Sequence, residues 1–137
     1  DDLTRSGKDD LLVRQTRGSW PNLFRQARMI PAVEYIQANR LRTILLQQMA
    51  EKMKEVDLYV APSFFGSANL LLTNLTGHPA VAVPIGFDEE GHPLSISFNG
   101  DLYQEGRLLK AVHAYQQATD FHRQHPDMEK LSQNQEE

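Results

Sequence analysis

The sequence predicts an α/β fold in which short strands of a small mixed sheet are flanked by helices. Apolar residues recur every three or four positions in two long segments, which is the helical period. Two short runs rich in strand-forming residues are bounded by proline, and a third run alternates apolar residues with serine. Three short strands make a small sheet, so we interpret the chain as one flank of a larger one.

Composition limits the function classes. The 137 residues are 40% apolar and 23% charged with a net charge of −4, values typical of a globular domain. We expect neither a direct nucleic-acid partner nor a membrane partner, because the chain has no basic stripe and no long apolar run. The absence of cysteine excludes a thiolate metal site and a cysteine nucleophile. It also fits a reducing compartment, which favours the cytoplasm without fixing it.

The first thirty residues predict short helical pieces. Asp1 to Thr4 read as the end of a helix before a Ser6-Gly7 break, and both a processed terminus and a truncated chain explain why residue 1 is Asp. A charged piece is expected over residues 9–17. A further helix is expected over residues 19–28, with Ser19 as its N-cap.

A long helix is predicted to start at Pro31, because proline fits the first helical turn. Its apolar stripe is Ala38, Leu41, Leu45, Met49, Met53 and Val56. The last helix is predicted over residues 104–122, with a stripe of Leu108, Val112, Tyr115 and Ala118/Thr119, and Pro126 ends it. Residues 127–137 are polar, and we expect them to fray.

Three strands are predicted between those helices. Residues 57–62 read as a buried strand, and residues 63–68 as a loop. Leu70 to Leu72 read as a helical turn or a packed loop. After a turn at Asn74, residues 80–85 read as a buried strand that Pro79 opens and Pro84 closes. Residues 94–98 read as a half-buried strand that forms a hairpin with it across the acidic turn 88–91.

No residue pattern by itself names an activity. The chain has no G-x-S-x-G elbow, H-E-x-x-H motif, Walker loop or G-x-G-x-x-G. His122 and His125 favour a surface pair over a metal site, and we expect no metal or cofactor. Histidines that precede proline, His78 and His92, favour structural roles in turns.

Four motifs resemble the C-terminal portion of amidase-signature hydrolases. Residues 30–42 resemble the long helix that precedes the last strands in that family. A D-x-x-x-x-P strand runs from Asp57 to Pro62, and an Asn-x-x-Gly-x-Pro-x-x-x-x-Pro pattern runs from Asn74 to Pro84. An Ala-Tyr-x-x-Ala-Thr pattern ends at Thr119. The resemblance therefore covers residues 1–126 as one C-terminal segment.

The resemblance implies hydrolysis of carboxylic amides, or transfer of ammonia from one. The family uses a serine nucleophile, a second serine held through a cis peptide, and a lysine that starts the proton relay. These residues lie in an upstream Gly/Ser-rich segment, and no such run occurs in this sequence. No catalytic residue is therefore assigned, and we expect the chain alone to be inactive.

By the same analogy Ser63, Phe64, Thr73 and Asn74 are candidates for the substrate-pocket wall. The small-molecule amide is expected to bind only in a full-length enzyme. Two alternatives stay open: a non-catalytic binding or scaffold module, and part of the amidotransferase A subunit that amidates misacylated tRNA. We also expect this segment to self-associate, because its strands and helices leave uncovered edges and faces.

Overall fold

The computed structural model describes residues 2–63 and 68–127, which divide into two compact units, residues 1–41 and 42–137. The first unit contains helix α1 (Asp2–Arg5), a 3-10 turn (Lys8–Leu11) and helix α2 (Trp20–Ala27). Helix α3 (Ala32–Met53) begins in it and continues into the second unit. Strand β1 (Leu58–Pro62), helix α4 (Ala68–Thr76), strands β2 (Ala80–Phe87) and β3 (Pro93–Gly100), helix α5 (Glu105–Ala118) and a 3-10 turn (Phe121–Arg123) follow. No helix among the described residues is long and apolar enough to cross a membrane.

The prediction of a charged helix over residues 9–17 is wrong, because the only helical part is the 3-10 turn that ends at Leu11. Buried Asp9 forms an ion pair with Arg25 of α2. The Gln15 side chain donates to the carbonyls of Asp9 and Leu12, both at 2.9 Å. These side-chain contacts stabilise a folded-back turn, because a segment without an apolar stripe gains little from being helical.

Helices α2 and α3 confirm their predicted starts. Ser19 occupies the N-cap position of α2, although its hydroxyl donates to the Thr16 carbonyl at 2.6 Å instead of capping the helix. Helix α3 begins directly after Pro31. Only Met49 and Met53 of its predicted apolar stripe are buried, whereas Leu41 is 67% exposed. The helix ends at Met53, so the prediction that Val56 belongs to the stripe is wrong, and Val56 is exposed.

The sheet has the order β1-β3-β2 and is antiparallel throughout, so the predicted hairpin of β2 and β3 is confirmed. Pro84 does not close β2, which continues to Phe87 across an irregularity between Pro84 and Gly86. The proline is tolerated because β2 is an edge strand. The prediction that β1 is buried is also wrong. This strand forms the opposite edge of the sheet from β2, and its Val60 side chain remains 50% exposed.

Both faces of the sheet carry a helix. Paired residues in antiparallel strands share a face, which places Val60, Phe98 and Val81 together. Helix α5 covers that face, with the rings of Phe98 and Tyr115 at 5.5 Å and Leu108 2% exposed. The opposite face carries Tyr59, Ser97 and Asn99, where side chains of α4 meet the sheet. The alternation of β3 had suggested solvent-facing serines, and Ser97 is instead buried.

The ends of α4 and α5 depend on backbone contacts. Asn74 lies in the last turn of α4 rather than in the predicted turn. The helix ends at Gly77, whose left-handed backbone (φ 80°) lets its N–H donate to the Thr73 carbonyl at 2.7 Å. Helix α5 ends at Ala118 instead of residue 122, because Thr119 is extended and its hydroxyl donates to the Tyr115 carbonyl.

Candidate functional site

A buried polar network joins α4 to the sheet, and Asn99 is its centre. The Asn99 side chain is 0% exposed, and its amide nitrogen donates to the carbonyls of Tyr59 at 3.3 Å and Ser97 at 3.0 Å. Its oxygen accepts from the Asn69 amide at 3.1 Å. The Asn99 side chain therefore makes hydrogen bonds to β1, β3 and α4 at once.

The network continues to the pocket-wall candidate at the end of β1. The Tyr59 hydroxyl donates to Asn69 Oδ1 at 2.9 Å. Burial raises the pKa of Tyr59 further above its ordinary value, which already keeps the phenol protonated and a donor at neutral pH. On the same face of the sheet, the Ser97 hydroxyl donates to Ser63 Oγ at 3.0 Å. Ser63 is thereby held where the chain leaves the sheet.

The four predicted pocket residues occupy different environments. Ser63 is half-buried and bonded to Ser97. Thr73 is 4% exposed, and its hydroxyl lies 3.1 Å and 3.2 Å from the carbonyls of Asn69 and Leu70 in its own helix. Asn74 is exposed on the last turn of α4. Phe64 lies outside the described residues.

Sequence patterns did not point to Tyr59, Asn69 and Asn99. The available signal was Asn99 itself, an amide at the end of a strand-forming run, where burial requires a hydrogen-bonding partner. Its partners are 30 and 40 residues away in the chain, and only the register of β1 on β3 and the packing of α4 on the sheet bring them together.

A second polar group joins two buried side chains, those of Thr76 and His78, to the half-exposed carboxylate of Asp101. Thr76 Oγ1 lies 2.9 Å from His78 Nδ1, and His78 Nε2 lies 3.6 Å from Asp101 Oδ1. The order of these groups matches that of a hydrolytic triad. Thr76 is only 2% exposed, however, and its hydroxyl also bonds the Leu72 carbonyl at 2.8 Å. A nucleophile must reach its substrate, so this buried hydroxyl is not placed for nucleophilic attack.

The acidic turn between β2 and β3 groups three potential metal ligands. Ligand atoms of Asp88, Glu90 and His92 lie within 4.8 Å of one another, and all three residues are exposed. The backbone N–H of His92 donates to Asp88 Oδ1 at 2.8 Å, and this bond is the main cause that lowers the pKa of Asp88. These contacts stabilise the turn itself, and exposed acidic groups of this kind occur without a metal.

Comparison with known proteins relates these elements to a larger molecule. No family model matches the chain. One relative, named as the A subunit of glutamyl-tRNA(Gln) amidotransferase from Thiobacillus denitrificans, is 32% identical over 68% of this chain and 23% of its own length. A relative of the same name from a Nostoc species is 33% identical over 67% of this chain and 23% of its own length. The chain thus spans about a quarter of the length of the curated relatives it matches.

Proposed function

The chain corresponds to the C-terminal portion of an amidase-signature protein, and from that premise we propose that it serves an enzyme that acts on carboxylic amides. In this proposal the segment completes the sheet and forms one wall of the substrate pocket. The serine nucleophile, the second serine and the lysine come from sequence upstream of residue 1. Backbone donors at the oxyanion would assist that nucleophilic chemistry.

The observation that carries the proposal is the placement of the family motifs on connected elements. The D-x-x-x-x-P motif forms β1, and the Asn74 motif forms the end of α4 and most of β2. The Asn99 network binds β1 and α4 to β3, the central strand of the sheet. A pocket wall built from the ends of β1 and α4 would therefore be rigid, as substrate positioning requires.

The first test is the coding sequence upstream of Asp1. An in-frame segment with a lysine and a Gly-Gly-Ser-Ser-type run supports the proposal, and the joined protein should release ammonia from linear amides. The chain without that segment should release none. Ammonia release by the chain alone would contradict the proposal. A start codon close to Asp1 would also contradict it and would favour the scaffold module.

The wall itself is tested in the joined protein with Ser63→Ala and a matched control. If Ser63 contacts the amide, its loss should raise KM by up to about tenfold, the value of one hydrogen bond. Ser97→Ala removes the same internal Ser97–Ser63 bond and leaves the Ser63 hydroxyl in place. Equal effects of the two variants would show that Ser63 acts only through the fold.

A second candidate function is that of the A subunit in a tRNA-dependent amidotransferase. The names of the relatives from Thiobacillus denitrificans and Nostoc favour it. The joined protein would then need protein partners, and the complex should amidate glutamyl-tRNA(Gln) with ammonia from an amide donor. Hydrolysis of simple amides without partners, and no amidation of the charged tRNA, would favour the amidase over the amidotransferase.

A further inference from the structure

The turn between α4 and β2 contains a histidine whose side chain is fully buried. His78 is held by Thr76 at its Nδ1 atom, 2.9 Å away. Its Nε2 atom makes no hydrogen bond with any described residue, and the nearest carboxylate oxygen, of Asp101, is 3.6 Å away. A buried polar atom without a partner is unusual enough to require an explanation.

His78 lies where two connections of the fold meet. The α4–β2 turn contains His78, and the β3–α5 loop contains Asp101. Beside them, the N–H of Gly100 donates to the Pro79 carbonyl at 3.0 Å, and a Cβ at Gly77 would lie 3.8 Å from Leu102 Cδ2. The two connections are therefore joined directly beside the buried imidazole.

Among the described residues, Asp101 is the charged group that interacts electrostatically with His78. The other groups near the junction are the Thr76 hydroxyl at the end of α4, Pro79 at the start of β2 and apolar Leu108 of α5, which closes over Gly100. The Asp101 side chain is 50% exposed, so water screens its charge. Burial lowers the pKa of His78, and the carboxylate of Asp101 opposes that effect only in part.

We propose that His78 makes this junction acid-sensitive: the α4–β2 turn and the β3–α5 loop stay joined while the buried imidazole is neutral and separate when it is protonated. The separation follows because a fully buried imidazolium lacks water, and its counter-charge, the Asp101 carboxylate 3.6 Å away, is half-exposed and screened by solvent. Once the junction opens, the imidazole reaches water and accepts the proton without that penalty.

The sign of the pH dependence follows from proton linkage. An open or unfolded junction has a histidine with a pKa of about 6.5, whereas burial lowers the pKa in the closed junction. Above about pH 6.5 neither state binds the proton, and stability does not change through this group. As the pH falls below that value the open state binds more protons, so opening is favoured by up to about tenfold per pH unit.

Amide hydrogen exchange measures this opening directly in the full chain. After correction for the intrinsic exchange rate, the protection of the Gly77 and Gly100 amides should fall by up to about tenfold from about pH 7.5 to about pH 5.5, mostly below about pH 6.5. His78→Gln keeps polar groups at the site without titrating in this range, so its protection should not show that fall. His113→Gln on α5 is the matched control, because this histidine is exposed, and it should behave as the unsubstituted chain does.

A second variant tests the part of Asp101. Asp101→Asn removes the opposing charge, so the loss of protection should begin near the same pH and continue to a lower pH before it levels. NMR titration of the His78 ring in the unsubstituted chain adds a measurement that needs no substitution and should report a pKa below the ordinary value. A ring pKa at or above that value, greater protection in acid, or an unchanged pH dependence in His78→Gln would each overturn the proposal.

Discussion

Replacing Asn99 with alanine should lower the free energy of unfolding of the second unit more than replacing an exposed asparagine does. The substitution removes two bonds to backbone carbonyls and one from Asn69. Each is worth about 0.5–1.5 kcal/mol, and the Asn69 amide loses a buried acceptor, so the expected loss is about 2–4 kcal/mol. With a urea dependence of about 2 kcal/mol per molar, the unfolding midpoint should fall by about 1–2 M.

Urea unfolding followed by far-UV circular dichroism, with hydrogen exchange at β3 as a local probe, measures this loss. Asn74→Ala is the matched control, because Asn74 is exposed and its replacement should change the free energy of unfolding by less than about 0.5 kcal/mol. The double variant with Asn69→Ala should lose less than the sum of the single losses, because the two side chains share one bond. Equal midpoints for Asn99→Ala and Asn74→Ala would refute the reasoning.

Three further predictions concern packing and association. Gly100→Ala should destabilise the chain by about 1–3 kcal/mol, because the new Cβ would lie 3.3 Å from Leu108 Cβ. Gly106→Ala in α5 is the control: its new Cβ would meet nothing within 4 Å, so it should stabilise the chain by about 0.5 kcal/mol. Thermal melting compares the two variants, and equal shifts of their melting temperatures would contradict this prediction. Tyr115→Phe removes the hydrogen bond to the Pro84 carbonyl and should lower the free energy of unfolding in urea by about 0.5–1.5 kcal/mol. Tyr103 is 89% exposed, so Tyr103→Phe should lower it by less. Light scattering should show mass rising with concentration if the segment self-associates, and a constant monomer mass would exclude it.

Local signals account for the parts of the fold that were predicted. The 3.6-residue period placed α3 and α5, and Pro31 marked the start of α3 because proline fits the first helical turn. Alternation and the acidic turn placed the β2–β3 hairpin. Each of these signals lies within a few residues of the element that it predicts, so no knowledge of distant contacts was needed.

Three of the incorrect predictions depend on a partner that is distant in the chain, or on the lack of one. The charged segment after residue 9 folds back because Arg25 binds Asp9. Pro84 stays inside β2 because no strand pairs with its outer side among the described residues. Ser97 is buried because α4 covers a face that alternation assigned to solvent. In each case a tertiary contact, or the lack of one, outweighed the local preference.

The candidate site divides in the same way. The sequence by itself determined helices α2, α3 and α5, the presence of three strands and the resemblance to the family. Through the family it named the pocket candidates Ser63, Phe64, Thr73 and Asn74. Tertiary structure alone decided that Asn99 meets Tyr59 and Asn69 and that His78 faces Asp101, because those contacts depend on strand register and on which helix covers which face. Buried polar groups obtain their hydrogen bonds from whatever the fold places beside them, and periodicity in one segment carries no information about that neighbour.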